Sequence, residues 1–210
     1  MDANEPAPQT RIAMIRAGDT AALAAAFDEY RPRLSKTVSF RLDTRLTGRV
    51  DPDDVLQEAY LNAAQRCQHV EGETEQSLFI WLHLIVAQTM VEIHRRHLGA
   101  QMRDAGREIA MHRRSSTEST TQSLAHCLLA SITSPSGALQ RNEVSERLHH
   151  ALELMDEIDR EVLALRHFEE LTNQEIAELL GIEQKAASIR YIRALRRLKG
   201  ILEGDVKPKE

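Results

Sequence analysis

Residues near the end of the chain have the types and spacing needed to bind an anionic polymer. Between residues 185 and 199 the basic side chains follow one another without an acid, and they are Lys185, Arg190, Arg193, Arg196, Arg197 and Lys199. An apolar set recurs there at the spacing of one helix face: Ala187, Tyr191, Ala194 and Leu198. The pattern predicts a helix with one buried and one positive face. It also fits a surface helix whose arginines are only solvated.

The residues in front of this helix favour DNA binding over the solvated alternative. Thr172 stands three residues before Glu175 at the start of an apolar run, a spacing at which the two can form a capping box. Gly181 then supplies the positive φ at which a short helix can end. A capped short helix, a glycine turn and a basic helix in this order predict a helix-turn-helix that binds DNA.

Position within the basic helix indicates which side chains touch DNA. Arg190 and Arg193 are the best candidates, whether for phosphate or for guanine. Lys185 and Ser188 lie near the N-terminal end of the helix, where base edges are usually read. The remaining cations are expected to meet phosphate or solvent: Arg196, Arg197 and Lys199.

An acidic helix start lies in the first half of the chain. The segment 51–54 reads Asp-Pro-Asp-Asp, which suits an N-cap and the first turn at the positive helix end. Asp54, Gln57 and Glu58 share one face at i, i+3 and i+4, a geometry suited to a basic or polar partner. For Asp53, stabilising the helix start is an equally well supported role.

A long apolar segment further on carries the only tryptophan and ends in basic residues. Trp81 can stack on an unpaired base, but packing beside Leu82 and Ile85 is the favoured interpretation. Arg95 and Arg96 lie at the end of this segment. They either clamp a phosphate backbone or simply complement the helix dipole.

The hydrophobic pattern predicts an all-α fold, because aromatic residues make up 4% of the chain and alternating runs are scarce. The predicted helices cover about 11–30 with a cap at Asp19 or Thr20, 31–50 with an interruption near Pro32, 51–64, 78–93, 139–154, 159–169 and the pair described above. A loop is expected over 65–76.

Two small helical domains joined by a flexible linker are predicted: a disordered tail over 1–10, a first domain over 11–111, a Ser/Thr-rich linker over 112–138, and a helix-turn-helix domain over 139–206. The linker is interpreted as a tether, with a phosphorylation target as the alternative.

The net charge of −5 excludes a free-standing basic DNA clamp, so a partner is expected to carry the chain to DNA. Cys67 and Cys127 lie far apart in sequence, which predicts no disulfide framework and fits a reducing cytosol. No apolar leader and no stretch of about 20 apolar residues is recognised, so a soluble cytoplasmic protein without a membrane partner is predicted.

Catalytic and metal sites find little support in the sequence. His94 and His97 have helical i, i+3 spacing, but no acid or Cys completes a metal-binding set. His149 and His150 are neighbours that point in different directions. Because glycine phosphate loops and nucleophile motifs are lacking as well, we expect no enzyme, no cofactor and no metal.

Two separated stretches resemble the sigma factors of the extracytoplasmic function (ECF) group of the bacterial sigma-70 family, which are initiation subunits of RNA polymerase. The stretch 53–58 (DDVLQE) resembles the acidic helix that docks on the clamp coiled coil of the largest polymerase subunit. The resemblance therefore assigns polymerase binding to Asp53, Asp54, Gln57 and Glu58. It assigns reading and melting of the minus-ten element to Trp81, Gln88, Glu92, Arg95 and Arg96. The helix-turn-helix follows in the order that the family shows.

The chain departs from the family pattern at positions expected to meet DNA. Gln88 and Glu92 stand where Asn and Asp are more usual, so recognition of the minus-ten bases is expected to differ. In the second domain the common Ser, Thr-Val and Lys are replaced by Glu183, residues 186–187 and Ser188. The family's promoter preferences therefore do not transfer.

The resemblance implies a sigma factor that binds the clamp coiled coil and flap of core RNA polymerase, recognises minus-thirty-five DNA through the helix-turn-helix, and melts the minus-ten element. It further implies control by an anti-sigma factor. The main alternative is an autonomous helix-turn-helix regulator that binds a palindrome as a symmetric dimer. A remoter one is an adaptor whose basic helix binds acidic partners.

Overall fold

The computed structural model describes residues 8–43, 46, 48–98, 123–124, 146 and 148–203. These residues fall into two compact units, one drawn from the chain up to Arg103 and the other from Asp104 onward. Within the described ranges the regular elements are all helical and no strand occurs. The predicted all-α fold is confirmed.

In its described ranges the first unit consists mainly of long α-helices, with a short 3₁₀ helix after the third. Their bounds are α1 Pro8–Arg16, α2 Thr20–Arg41, α3 Pro52–Arg66, the 3₁₀ turn Cys67–His69, and α4 Glu75–Leu98. Helices α2, α3 and α4 pack against one another, and α1 packs on α2. Their shared core contains fully buried side chains from each of the three long helices, including Leu34, Leu56 and Leu82.

Helix α2 begins where the sequence predicts but does not break where it predicts. Asp19 is the N-cap, since its Oδ1 accepts hydrogen bonds from the backbone N–H of Ala21 at 2.9 Å and of Ala22 at 3.0 Å. The expected interruption near Pro32 is wrong, because α2 runs through it to Arg41. Proline removes one donor and crowds one carbonyl. Burial of residues on both sides of it, such as Tyr30 and Leu34, holds the helix together.

Two boundaries of the first unit also differ from the sequence prediction. Helix α1 starts at Pro8, so the last three residues of the predicted tail are helical, while residues 1–7 lie outside the described part. The predicted loop over 65–76 is shorter, because α3 continues to Arg66 and α4 starts at Glu75. Proline at a first helical turn is favourable, which explains the early start of α1.

Helix α4 is long and apolar enough over Glu75–His97 to qualify as a membrane span by length and composition alone. The expectation that no such stretch exists is therefore wrong. In this fold α4 packs against α2 and α3, and 56% of its most apolar stretch is buried within the protein. A core helix of a globular unit has the same properties.

The second unit contains a helical segment over 148–153 followed by α5 Glu157–His167, α6 Asn173–Leu180 and α7 Gln184–Glu203. Helix α7 packs against both α5 and α6. The buried Arg160 ties the first segment to α5, because its Nη1 donates to the carbonyl oxygens of Leu152 at 2.6 Å and Met155 at 2.9 Å. Burial lowers the pKa of the Arg160 guanidinium. These bonds satisfy carbonyls that a helix end leaves without partners.

The region between the units is described at only a few positions. In the predicted linker over 112–138, Ser123 and Leu124 are described, and both are helical, with Leu124 fully buried. The predicted helix over 139–154 is described at residue 146 and from residue 148 onward. The remaining residues of both segments lie outside the described part, and the proposed domain limits stay predictions.

Candidate nucleic-acid interface

The local signals that predicted the helix-turn-helix are all present. Thr172 Oγ1 accepts from the backbone N–H of Glu175 at 3.2 Å, and the Glu175 carboxylate accepts from the N–H of Thr172 at 2.7 Å. Gly181 ends α6 with φ of 64°. The capping box and the glycine turn are confirmed, and together they fix where α7 begins relative to α6.

A side-chain pair joins the two helices of this motif. Asn173 Nδ2 on α6 donates to Ser188 Oγ on α7 at 2.8 Å, and the same hydroxyl donates to the backbone oxygen of Gln184 at 3.1 Å. Ser188, predicted to face base edges, therefore also holds the helix pair together. Asn173 was not singled out in the sequence, although its place in the first turn of α6 is visible there.

The two arginines favoured for DNA contact share one buried carboxylate on α5. Arg193 donates from Nε to Asp159 Oδ2 at 3.0 Å and from Nη2 to Oδ1 at 2.7 Å, and Arg190 Nη1 lies 3.2 Å from Oδ1. Asp159 is 0% exposed, whereas the side chains of Arg190 and Arg193 are 30% and 51% exposed. The hydrogen bonds that Arg193 donates to Asp159 raise the pKa of the Arg193 guanidinium. A buried carboxylate requires such partners.

Sequence reasoning missed Asp159, although one signal for it exists. Val162 and Leu163 lie three and four residues later, so an α-helix places Asp159 on the same face as these two core residues. An acid on an apolar helix face needs a cationic partner. The sequence alone does not say which arginine provides it.

Arg197 is engaged within the second unit. Its Nη2 donates to the backbone oxygen of Leu154 at 2.5 Å, and its Nη1 lies 3.8 Å from Asp156 Oδ2. Lys185, Arg196 and Lys199 are exposed. Arg190, Arg193 and Arg197, three of the predicted DNA contacts, therefore already bind protein groups.

Apolar residues occupy part of the exposed surface of α7, which the sequence analysis did not anticipate. Ile189 is 55% exposed, Ile192 49% and Leu195 39%. The predicted buried face is present beside them: Ala187, Ala194 and Leu198 are buried, and Tyr191 is half-buried. The exposed set has the spacing i, i+3 and i+6, which can be read from the sequence. It was not recognised because basic residues stand between its members.

In the first unit, the predicted polymerase-binding residues surround the start of α3. Asp51 caps the helix, and the Asp54 carboxylate accepts from the backbone N–H of Asp51 at 3.4 Å, which completes a second capping box. Asp53 pairs with Arg31 on α2 at 2.9 Å. Both acids therefore have local structural roles, and both remain exposed.

A shallow groove lies beside these acids, between α2 and α3, with a volume of about 410 Å³. Gln57, one of the predicted polymerase contacts, lines the groove together with Tyr60 and the exposed Leu61 from α3. Asp28 and Arg31 line it from α2. The polar face predicted for α3 thus continues into a mixed polar and apolar depression.

Two of the predicted site residues of α4 are tied to α3. Arg96 donates to the Glu58 carboxylate, which brings a predicted DNA contact and a predicted polymerase contact together and raises the pKa of Arg96. Gln88 accepts a hydrogen bond from Arg66 Nη1 at 2.6 Å. The sequence analysis assigned no role to Arg66. Both contacts lie at the protein surface.

Four of the predicted residues of α4, Gln88 among them, form a strip along one side of the helix. Gln88, Glu92 and Arg95 follow at i, i+4 and i+7 and are exposed, and Trp81 lies seven residues before Gln88 and is half-buried. His94 lies near this strip, and its Nε2 accepts from the backbone N–H of Asp43 at 3.4 Å. Within the described ranges, no cluster of His, Cys, Asp and Glu is arranged to hold a metal ion.

Residues 145–198, which span α5 to most of α7, match the family of sigma-70 region 4 domains. This part of the chain is therefore similar to sigma-70 region 4, as the resemblance predicted, and the match covers α6 and α7 as far as residue 198. No curated protein sequence matches the chain.

The chain also resembles a solved structure, that of CnrH in complex with the cytosolic domain of CnrY. The match has a TM-score of 0.50 and 20% sequence identity, and it covers 96% of this chain and 100% of the matched chain. At this identity the likeness shows a shared fold.

Proposed function

We propose that this protein is a sigma factor of the ECF group that binds core RNA polymerase and directs transcription initiation at specific promoters. The observation that carries the proposal is the region 4 match over residues 145–198, which coincides with a correctly capped helix-turn-helix. The likeness to CnrH over nearly the whole chain supports the two-unit organisation that the proposal requires.

In this proposal α7 enters the major groove of the minus-thirty-five element. Lys185 lies at its N-terminal end and Arg196 further along, and both are exposed. Arg190 and Arg193 are held by Asp159 with part of each guanidinium accessible. An arginine fixed in this way loses less conformational freedom when it binds phosphate or guanine.

The exposed strip of α4 is proposed to act at the minus-ten element. Taking a base out of the stack costs a few kcal/mol, which the strip would offset through contacts with the separated strand. Arg95 and Arg96 would hold phosphates, Gln88 and Glu92 would contact base edges, and the half-buried Trp81 would support the opened strand.

The acidic start of α3 is proposed to bind the clamp coiled coil, through Asp53, Asp54, Gln57 and Glu58, while the second unit meets the flap. A net charge of −5 agrees with a protein that reaches DNA through a larger partner. CnrH was solved with the cytosolic domain of CnrY, which supports a further proposal that a protein partner, an anti-sigma factor, controls this chain. The protein would act in the cytoplasm and carry out no chemistry of its own.

Run-off transcription tests this function. Cognate core RNA polymerase and a pooled genomic promoter library are incubated with and without the protein, and core binding is measured by size-exclusion chromatography. We expect protein-dependent transcripts that share two spaced upstream elements. A protein that binds no core enzyme but footprints a palindrome alone would be an autonomous regulator, and the proposal would be wrong.

A matched pair of variants locates the polymerase contact. Asp54→Asn combined with Gln57→Ala should weaken core binding at least several-fold, since the pair removes one charge and one hydrogen-bonding side chain from the proposed face. Glu71→Gln combined with Glu73→Gln removes exposed charges from the loop before α4 and should leave core binding unchanged. Because the control pair removes two charges and the first pair only one, a larger loss of core binding in the control pair would show that overall charge, rather than the α3 face, drives binding.

A further inference from the structure

The outermost face of α7 combines two cations with two isoleucines. Lys185, Ile189, Ile192 and Arg196 follow one another at i, i+4, i+7 and i+11, which places them in one line along the helix. All four are exposed. The line lies opposite the buried Ala187 and Ala194 side of the helix, since about 100° separates successive residues. The face most available to a partner thus has an apolar centre and charged ends.

The surrounding charge selects nucleic acid as the partner for this face. Between residues 185 and 199, α7 carries basic residues and no acid. Phosphates on both sides of a groove can meet Lys185 and Arg196. Single exposed apolar residues are common, but two that adjoin on the outer face of a helix proposed to enter DNA require a counterpart there.

The major groove offers an isoleucine one matching group. Guanine and adenine present hydrogen-bonding atoms in the major groove. An apolar side chain placed there would remove the water bound to these atoms without replacing its hydrogen bonds. Thymine, by contrast, presents a C5-methyl group. Ile189 and Ile192 are three residues apart, so they are separated by about 4.5 Å along the helix axis. That separation approaches the 3.4 Å between successive bases of a strand.

Resting on the proposed function, we propose that Ile189 and Ile192 read thymine methyl groups at two neighbouring base pairs of the minus-thirty-five element. Lys185 and Arg196 hold the flanking phosphates. The isoleucines lie in the N-terminal half of α7, where a recognition helix meets base edges. Leu195 lies to the side of this line and takes no part in the readout.

Methyl-deletion scanning tests the readout on the full chain with core polymerase. Each thymine of a minus-thirty-five element found in the run-off assay is replaced in turn by deoxyuridine, which removes only the methyl group. We expect two neighbouring positions at which transcription at limiting holoenzyme falls about fourfold, the effect of one buried methyl-sized group. Substitution at thymines elsewhere in the element should have no effect.

Isoleucine variants connect each methyl group to its side chain. Ile189→Ala should abolish the deoxyuridine effect at one position and Ile192→Ala at its neighbour, while Leu195→Ala should keep both effects. Because the three side chains are exposed, alanine at these positions is expected to leave the fold intact. Persistence of both effects in the isoleucine variants would overturn the assignment.

The outcomes separate this inference from the proposed function. Protein-dependent transcription that is insensitive to deoxyuridine throughout the element, or an element without thymine, would overturn the methyl readout and leave the sigma function standing. Under the first result, the isoleucines would face a protein instead. Absence of any protein-dependent transcript with a cognate polymerase would overturn both.

Discussion

Helices α4 and α7, the two helices proposed to contact DNA, hold their arginines in different ways. On α7, Arg190 and Arg193 bind one carboxylate, that of Asp159, which is fully buried and belongs to the neighbouring helix α5. On α4, Arg96 binds Glu58, a residue of the surface that is itself proposed to meet the polymerase. Breaking a buried charge pair is costly, whereas a surface pair is screened and exchanges easily.

This difference fits two kinds of task. Reading a duplex from one side favours side chains that are already in position, because less freedom is lost on binding. Capturing a strand as it separates favours side chains that can change partner. A polymerase surface that takes up Glu58 would release Arg96 for the strand, so polymerase binding and strand capture would be coupled through this one pair.

The largest effect is expected from removing the buried carboxylate. Asp159→Asn should destabilise the second unit by about 2 kcal/mol, since two partly solvated arginines lose an ionic partner and the amide can satisfy only part of their bonds. Hydrogen exchange of α5 and α7 amides in the full chain measures this loss. Asp156→Asn, at an exposed position on the same turn, should have little effect. Equal losses of amide protection in the two variants would show that the buried carboxylate contributes no more to stability than the exposed one.

A smaller effect is expected at the turn that sets the start of α7. Gly181→Ala should cost about 1.5 kcal/mol, because φ of 64° is unfavourable for a residue with a Cβ. Apart from the adjoining residues of the chain, no atom lies within 4 Å of a Cβ placed there, so the cost is one of backbone conformation. Gly181→Asn should recover part of it, since Asn tolerates this conformation. A thermal unfolding midpoint that is the same for glycine and alanine would contradict this explanation.

The cap of α6 comes next. Thr172→Ala should destabilise α6 by about 1 kcal/mol through loss of the bond to the Glu175 amide, and Thr172→Ser should preserve it. The exchange rate of that amide reports directly on the bond. If serine and alanine behaved alike, the threonine methyl group rather than the hydroxyl would be responsible.

The smallest effect on stability is expected from the surface pair. Glu58→Gln should leave amide exchange in α3 and α4 within about twofold of the original protein, because exposed pairs contribute little. The extent of strand opening at the minus-ten element should change instead. The permanganate reactivity of unpaired thymines in that element measures it. A loss of amide protection as large as that of Asp159→Asn would show that the surface pair and the buried pair contribute equally to stability.

Features that depend on residues close in sequence were predictable. The capping box of α6 joins residues three apart, and the glycine turn depends on a single residue. The match of residues 145–198 to sigma-70 region 4 agrees with the helix-turn-helix that these signals predicted. Pro32 misled the prediction because a local helix-breaking tendency is weaker than the packing of the residues on both sides of it.

Features that depend on distant residues were not predictable. Asp159 and Arg193 are 34 positions apart, and only the packing of α7 on α5 brings them together. The same holds for Glu58 and Arg96, which were assigned to different partners before the fold brought them into contact. The spacing of the isoleucines on α7 can be read from the sequence, but their exposure cannot. Whether they are exposed depends on which face of α7 packs against the core.

The carboxylate partners on α7 also affect how the protein responds to salt. Six independent cations that each bound a phosphate would displace about five counterions from DNA, and affinity would fall steeply with ionic strength. Arg190, Arg193 and Arg197 already have carboxylates nearby, so each displaces less than a full ion. Isoleucine contacts with methyl groups displace none. Promoter binding through α7 is therefore expected to persist at ionic strengths that would dissociate from DNA a helix with the same basic residues but without carboxylate partners.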